Sequence, residues 1–240
     1  MAPPVTGWWP DTPSSLADEQ IRIASLEAPN WIPEPGARIG AVFVCFERGG
    51  IGRGASGDGG WAAAVVRDGR RTVISMVRGE AGAAYEPGLL ALREGRLLDA
   101  AVTSLAARPD ALLVDATGRD HPRRAGLALH LGALLDLPTL GVTNRPLVAS
   151  GPEPGLARFS RSPLAIGNEV VGYRLRTREA ARSLCVHAGW RTTPESAVDV
   201  VVQAIVRFRT PEPLRKARTV ARRARAGHWR MASATRSTKF

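Results

Sequence analysis

Two short apolar runs, residues 111–114 and 139–142, stand on either side of a longer apolar segment, 125–135, and the first of them ends at an acid, Asp115. The short runs have the length of buried strands, and the leucine-rich segment between them reads as a helix, so the centre of the chain is a βαβ unit. A parallel return of this kind needs a sheet with helices packed on it. It also makes the loops after the strands natural places for a site.

The flanks fit that frame. Residues 14–26 place Leu16, Ile21, Ile23 and Leu26 near one face of an amphipathic helix, which the proline-rich stretch 30–36 ends. The spacing predicts a strand over 38–46, a glycine-rich loop over 49–60, and two more strands, 61–66 and 71–77, joined at Asp68-Gly69 as a meander. Leu89, Leu90, Leu97, Leu98 and Leu105 recur at helical intervals within 87–105. Further on, 150–162 reads as a proline- and glycine-rich loop, 169–176 and 183–186 as strands, and 194–207 as a helix capped by Thr192 or Thr193. There is no internal repeat. The 240 residues suffice for one α/β core, expected over 1–213. From Leu214 onward no acidic side chain occurs while Arg215, Lys216, Arg218, Arg222, Arg223, Arg225 and Arg230 accumulate, so 214–240 is expected to be a basic C-terminal tail.

Charge narrows the function classes. With 33 Lys and Arg against 22 Asp and Glu, the formal net charge is +11, a positive field that attracts phosphate backbones or anionic lipid. Arginine is also abundant along the whole chain, so charge favours a nucleic-acid partner without proving one. Cys45 and Cys185 are too few for a disulfide framework or a zinc site and suit a reducing compartment. No stretch approaches a membrane span, and the N-terminal Trp8, Trp9 and Asp11 do not form a signal pattern. A cytoplasmic monomer with no membrane attachment is expected. His121, His130, His187 and His228 have no triad-like spacing, which disfavours a hydrolytic enzyme of an unrelated α/β type.

Four segments, in order and spanning residues 16–217, resemble the endonuclease V family, which nicks nucleic acid near deaminated purines. The strongest is LLVDATGRDHPRRAGLALHLGALLDLPTLGV at 112–142; YEPGLLALREG at 85–95, FERGG at 46–50 and TPEP at 210–213 extend it. The resemblance implies a ribonuclease H-like α/β fold, a mixed central sheet flanked by helices. It also implies a site in which carboxylates hold Mg²⁺ for phosphodiester hydrolysis. Glu94 and Asp115 match two of those acids, as catalytic residues and metal ligands. Each could also be structural, Asp115 capping its loop and Glu94 facing solvent on its helix. Tyr85 matches an aromatic wedge that separates bases, with a core-edge tyrosine as the plain reading. Gly118 matches a glycine beside the flipped base, and His121, Arg123 and Arg124 match the HPRR nucleic-acid-binding loop.

The departures are as informative. The first acid of the family is Phe43 here, its lysine after Gly141-Val142 is Asn144 with Arg145 adjacent, its histidine after Gly189 is Trp190, and the glycine after the third acid is Ala116. Glu47 shares strand parity with Phe43 but lies about 13 Å further along an extended strand, too far to replace it. The gripping positions are kept, whereas among the positions that assemble metal and transition-state charge Phe43, Asn144 and Trp190 depart from the family. That pattern implies a protein that binds DNA or RNA at deaminated or distorted sites in nucleic-acid repair. The alternative is an active Mg-dependent endonuclease V cleaving near deoxyinosine. Phe43, Glu94 and Asp115 should be neighbours in space.

Overall fold

The computed structural model describes residues 9–47, 52–68 and 71–227, Asp68 by its backbone only. Gly49 and Gly50 of FERGG, Gly69 of the expected Asp68-Gly69 turn, and residues 228–240 of the expected basic tail, with Arg230 and His228, lie outside the described residues.

Three strands open the sheet: β1 (Ile39–Phe46), β2 (Gly59–Asp68) and β3 (Arg71–Glu80) pair antiparallel in sequence order, as the meander reading predicts. The βαβ unit follows, with β4 (Ala111–Val114) parallel to β1, helix α3 (Leu127–Leu135) crossing over, and β5 (Thr139–Thr143) parallel to β4. β6 (Arg161–Ile166), β7 (Glu169–Leu175) and β8 (Leu184–Ala188) return antiparallel, giving a mixed sheet ordered β3-β2-β1-β4-β5-β8-β7-β6. β6 was not expected as a strand: its first two residues fall in the loop expected over 150–162, and the rest was unassigned. Pro163 sits inside it, and the strand lies at the sheet edge, where a residue without a backbone N–H is tolerated.

Alternation along β1 divides the core. Val42 and Val44 point toward α1 (Pro13–Ala24), α2 (Leu90–Thr103) and α3, where Leu16, Leu97, Leu98, Leu112, Val114 and Leu131 close the layer. Ala41, Phe43 and Cys45 point to the other face, covered by α4 (Pro194–Ala204) and α5 (Glu212–Arg225). Helix α4 is capped by Thr193 in a capping box with Ser196, while Thr192 turns its hydroxyl to the Thr139 carbonyl. Trp9 locks the first layer: its ring stacks on His130 at 4.5 Å and its indole N–H donates to Asp99 Oδ2 at 3.1 Å.

Helix α5 revises the boundary expected at 213/214. Leu214, Ala217, Val220, Ala221 and Ala224 are buried against the sheet, so residues 214–225 form part of the packed domain rather than a free tail. Their 3- and 4-residue intervals make a narrow apolar stripe, four of whose five members are too small or too widely spaced to stand out among the arginines.

Candidate nucleic-acid interface

Strand β4 delivers Asp115 to the carboxyl edge of the sheet, α2 holds Glu94 beside it, and β1 contributes Phe43. The three line one small cavity of about 50 Å³, together with Leu98. Burial first, and then the negative charge of Asp115, push the Glu94 carboxyl up to about 8, so it keeps its proton at neutral pH. Asp115 is engaged instead by α5: Arg218 donates Nε to Oδ2 at 3.2 Å and Nη2 to Oδ1 at 2.8 Å. The guanidinium of Arg218 also lies over the Phe43 ring, 5.7 Å from its centre, and that of Arg222, one turn further on, lies 5.5 Å from the same centre. One cation is thus paired with Asp115, and the Phe43 ring carries that cation and a second.

Glu94 lines a second, larger cleft of about 470 Å³ with Phe46, Glu47, Arg53, Tyr85 and Arg93. Tyr85 is 45% exposed there, the disposition a stacking side chain needs. The loop that carries it is built by Arg93, whose buried guanidinium stacks on Phe46 at 4.0 Å, donates to the carbonyls of Ala55 and Ala83, and pairs with Asp58 at 2.8 Å. Gly88 closes the Tyr-Glu-Pro-Gly turn at φ 81°, a left-handed conformation that favours glycine.

The HPRR segment is more inward than expected. His121 is 2% exposed, its Nε2 hydrogen-bonded to the Gly88 carbonyl at 3.0 Å while Nδ1 accepts from the Arg123 amide at 3.1 Å. These contacts require a neutral ring protonated on Nε2, and burial lowers its pKa in the same direction. Arg123 donates to Gln20 of α1, and Arg124, at φ 60°, pairs with Glu169 at 3.2 Å beside the β6–β7 turn. None of these three lines the Asp115 cavity. Gly118 has a packing role of its own, since a Cβ there would stand 2.0 Å from the Ala188 carbonyl oxygen.

Nor do the substituted positions form one cluster. Asn144 is exposed and accepts from Arg209 at 3.0 Å, whose guanidinium is close enough to Arg218 for like-charge repulsion to lower its pKa, after burial. Trp190 belongs to a separate apolar group with Ile23, Ala125, Leu129 and Ala133, and its indole N–H donates to Asp136 at 3.2 Å. Ala116 is buried, and its carbonyl oxygen would lie 2.2 Å from a Cβ on Gly141. The sequence reading gave Arg218 and Arg222 only as part of a basic tail, though their four-residue spacing beside the apolar stripe of α5 was a signal, and it passed over Asp120. Asp120 is fully buried and accepts the amides of Leu147, Val148 and Ala149 at 2.7, 2.9 and 2.7 Å. Among the described residues no group of three or more His, Cys, Asp or Glu is arranged to hold a metal ion.

The Endonuclease V family profile matches residues 49–219. The chain is 37% identical over 222 residues to "Endonuclease V" of Azotobacter vinelandii, covering 90% of this chain and 96% of that one. The crystal structure of the Endonuclease V of Streptomyces avermitilis superposes with a TM-score of 0.79 at 34% identity, covering 91% of this chain and 95% of its own. At 21% identity and a TM-score of 0.70, the Ciona intestinalis Endonuclease V, solved in complex with a 24mer DNA containing an inosine followed by a ribo-adenosine, shares the fold over 89% of this chain and 98% of its own.

Proposed function

The chain belongs to the endonuclease V family and has its ribonuclease H-like α/β fold, and from that premise we propose that it binds DNA or RNA at deaminated (inosine) or distorted sites, in nucleic-acid repair, without cutting the strand. The observation that carries the reading is the bidentate pairing of Asp115 with Arg218 beside Phe43.

A divalent cation such as Mg²⁺ is held by oxygen ligands and gives up its water reluctantly, so carboxylate charge decides whether it stays. Here both oxygens of Asp115 already accept from a guanidinium, and position 43 offers a phenyl ring with no donor atom. This donor set does not fit the metal, and hydrolysis through Glu94 and Asp115 does not follow from it. Binding has better support. Tyr85 is exposed for stacking beside a cleft, Arg123 and Arg124 are partly exposed at the HPRR loop, and arginines crowd the carboxyl edge of the sheet. His121 and Gly118 serve this reading by shaping the loop. No helix among the described residues is long and apolar enough to cross a membrane, and the proposed setting is a cytoplasmic monomer acting on nucleic acid.

The test is a binding measurement on an inosine-containing oligonucleotide in EDTA, run beside a cleavage assay on the same substrate in Mg²⁺ or Mn²⁺. The expected outcome is tighter binding to the inosine strand than to its unmodified control, with no nicking. Mg²⁺-dependent nicking that Asp115→Ala abolishes would establish the other reading, a Mg-dependent endonuclease V cleaving near deoxyinosine.

A further inference from the structure

We propose that Arg218 and Arg222 form a metal-independent phosphodiester-binding site, in which a cation built into helix α5 joins Asp115 to the phosphate of a bound strand. The proposal rests on the binding reading above and specifies how the backbone is held.

Arg218 uses Nε and Nη2 on Asp115, which leaves the N–H groups of Nη1 outside that pair. A guanidinium has five N–H donors in a planar fork and can bridge two anions, a carboxylate on one edge and a phosphate oxygen on another. Its orientation is fixed from both sides, by the carboxylate and by the Phe43 ring. Arg222 is exposed and stands over the same ring, so the two guanidinium groups share one aromatic platform. Arg209 adds a third positive charge at this edge, close enough to Arg218 for the two to repel. One carboxylate engages Arg218 directly, and a phosphodiester would be drawn to the positive charge gathered beside it. Phe43 then has a stated role. It replaces a side chain that would have cancelled the arginine charge with one whose face holds cations in place.

The source of the phosphate is a nucleic-acid backbone, and free inorganic phosphate is the competing source. Binding is measured in EDTA, over a salt series, with an inosine-containing oligonucleotide and with plain oligo-dT, for the unmodified protein, Arg218→Ala, Arg222→Ala and Asp115→Asn. Arg218→Ala and Arg222→Ala are each expected to weaken both oligonucleotides about tenfold and to reduce the salt slope by about one. Asp115→Asn is expected to tighten binding, because it removes a negative charge that repels the phosphate while its amide oxygen can still accept from Arg218. Weaker binding by this variant would overturn the proposal. Millimolar Mg²⁺ should not strengthen binding. Arg222 is exposed, so its variant keeps the test open if Arg218→Ala fails to fold.

Unchanged affinity and slope in Arg222→Ala, or a gain in affinity on adding Mg²⁺, overturns the proposal. So does inorganic phosphate at low millimolar concentration displacing the oligonucleotides completely, since that makes the site one for free phosphate. Inosine preference without arginine dependence sinks this proposal alone. Arginine-dependent binding to both strands without inosine preference sinks only the reading it rests on, and failure to bind either strand sinks both.

Discussion

Arg218 reaches Asp115 across 103 residues of chain and takes both of its carboxylate oxygens. Their side chains are 21% and 26% exposed, so the pair is screened less than a surface ion pair and desolvated less than a core one. A double-mutant cycle of Asp115→Ala and Arg218→Ala, followed by urea unfolding, should return a coupling of about 1 kcal/mol. A coupling indistinguishable from zero would mean that the two side chains do not hold each other in solution.

Helix α5 is expected to be required for folding. Leu214 is fully buried in the core cluster it shares with strand and α4 residues, and Leu214→Ala should cost about 2–4 kcal/mol by the usual measure of a core deletion. Truncation after Pro213 should therefore leave a chain without a cooperative melt, whereas Arg223→Ala, at an exposed position, should leave stability within about 0.5 kcal/mol. Circular dichroism melts of the three chains check this. A truncated chain with an unchanged Tm would restore the reading of a detachable tail.

That helix shows where sequence reading ran out. The βαβ unit was legible because its strands are buried on both faces and its helix is apolar, so hydrophobic period alone fixed Ala111–Val114 and placed Asp115 at a strand end. The meander was legible from its strand-length runs and the Asp68-Gly69 turn signal between two of them, although β3 is only partly buried. In α5 the buried face is mostly alanine, which has little weight in a hydrophobic pattern, and the arginines around it look like a solvated run. β6 was hidden by Pro163, which counts against a strand unless its place at the sheet edge is known. Within the site, motif order brought Glu94, Asp115 and Phe43 together correctly. It could not tell that Arg218 turns inward, because a charge has no periodic signature of its partner. Trp190, a departure from the family pattern like Phe43, lies elsewhere, packed with Ile23, Ala125, Leu129 and Ala133.

Acid should destabilise the protein through its buried histidines. Burial holds His130 at about 4, below the ordinary 6.5, and its ring stacks on Trp9 with no hydrogen-bond partner at either nitrogen among the described residues. His187, also fully buried, is pushed to about 4 by burial, against the opposing pull of Asp120. The unfolded chain takes up these protons near 6.5 while the folded one refuses them until about 4. The stability is therefore complete above about 6.5 and is lost as the pH falls through that window, by roughly 1.4 kcal/mol per pH unit for each group at most. Tm measured from pH 7 to 4 should fall steadily, and His130→Leu should flatten part of the slope. A slope identical in the variant would show that His130 is not the group titrating.

Tyr85 and Asp120 should separate recognition from architecture. Tyr85 is exposed and, among the described residues, donates only its backbone amide, to the Arg53 carbonyl, so Tyr85→Ala is expected to leave Tm nearly unchanged while reducing preference for an inosine-containing strand. Asp120 accepts three backbone amides with no solvent exposure, and Asp120→Ala should cost about 3 kcal/mol or more by leaving those donors unpaired. Equal preference for inosine in Tyr85→Ala and the parent would remove Tyr85 from recognition.

Recovering a metal site should take two changes, one at Phe43 in the cavity and one at the arginine that pairs with Asp115. Phe43→Asp alone would set a new carboxylate under Arg218 and Arg222, and the arginines would neutralise it before a divalent ion could. Arg218→Ala alone frees Asp115 but leaves a phenyl ring where a ligand is needed. Only Phe43→Asp combined with Arg218→Ala frees Asp115 and sets a second carboxylate at the same cavity with one arginine, Arg222, beside it, and so supplies the charge that divalent ions require. Calorimetric titration with Mn²⁺ should therefore show binding in the double variant and none in either single variant or in the parent. Trp190→His does not belong in this set, since it removes a side chain packed on Ile23, Ala125, Leu129 and Ala133 and should cost stability without adding a ligand. Mn²⁺ binding by Phe43→Asp alone would show that the arginines yield the cavity to a metal, and would mark Arg218 as a displaceable occupant rather than the cation on which the site is built.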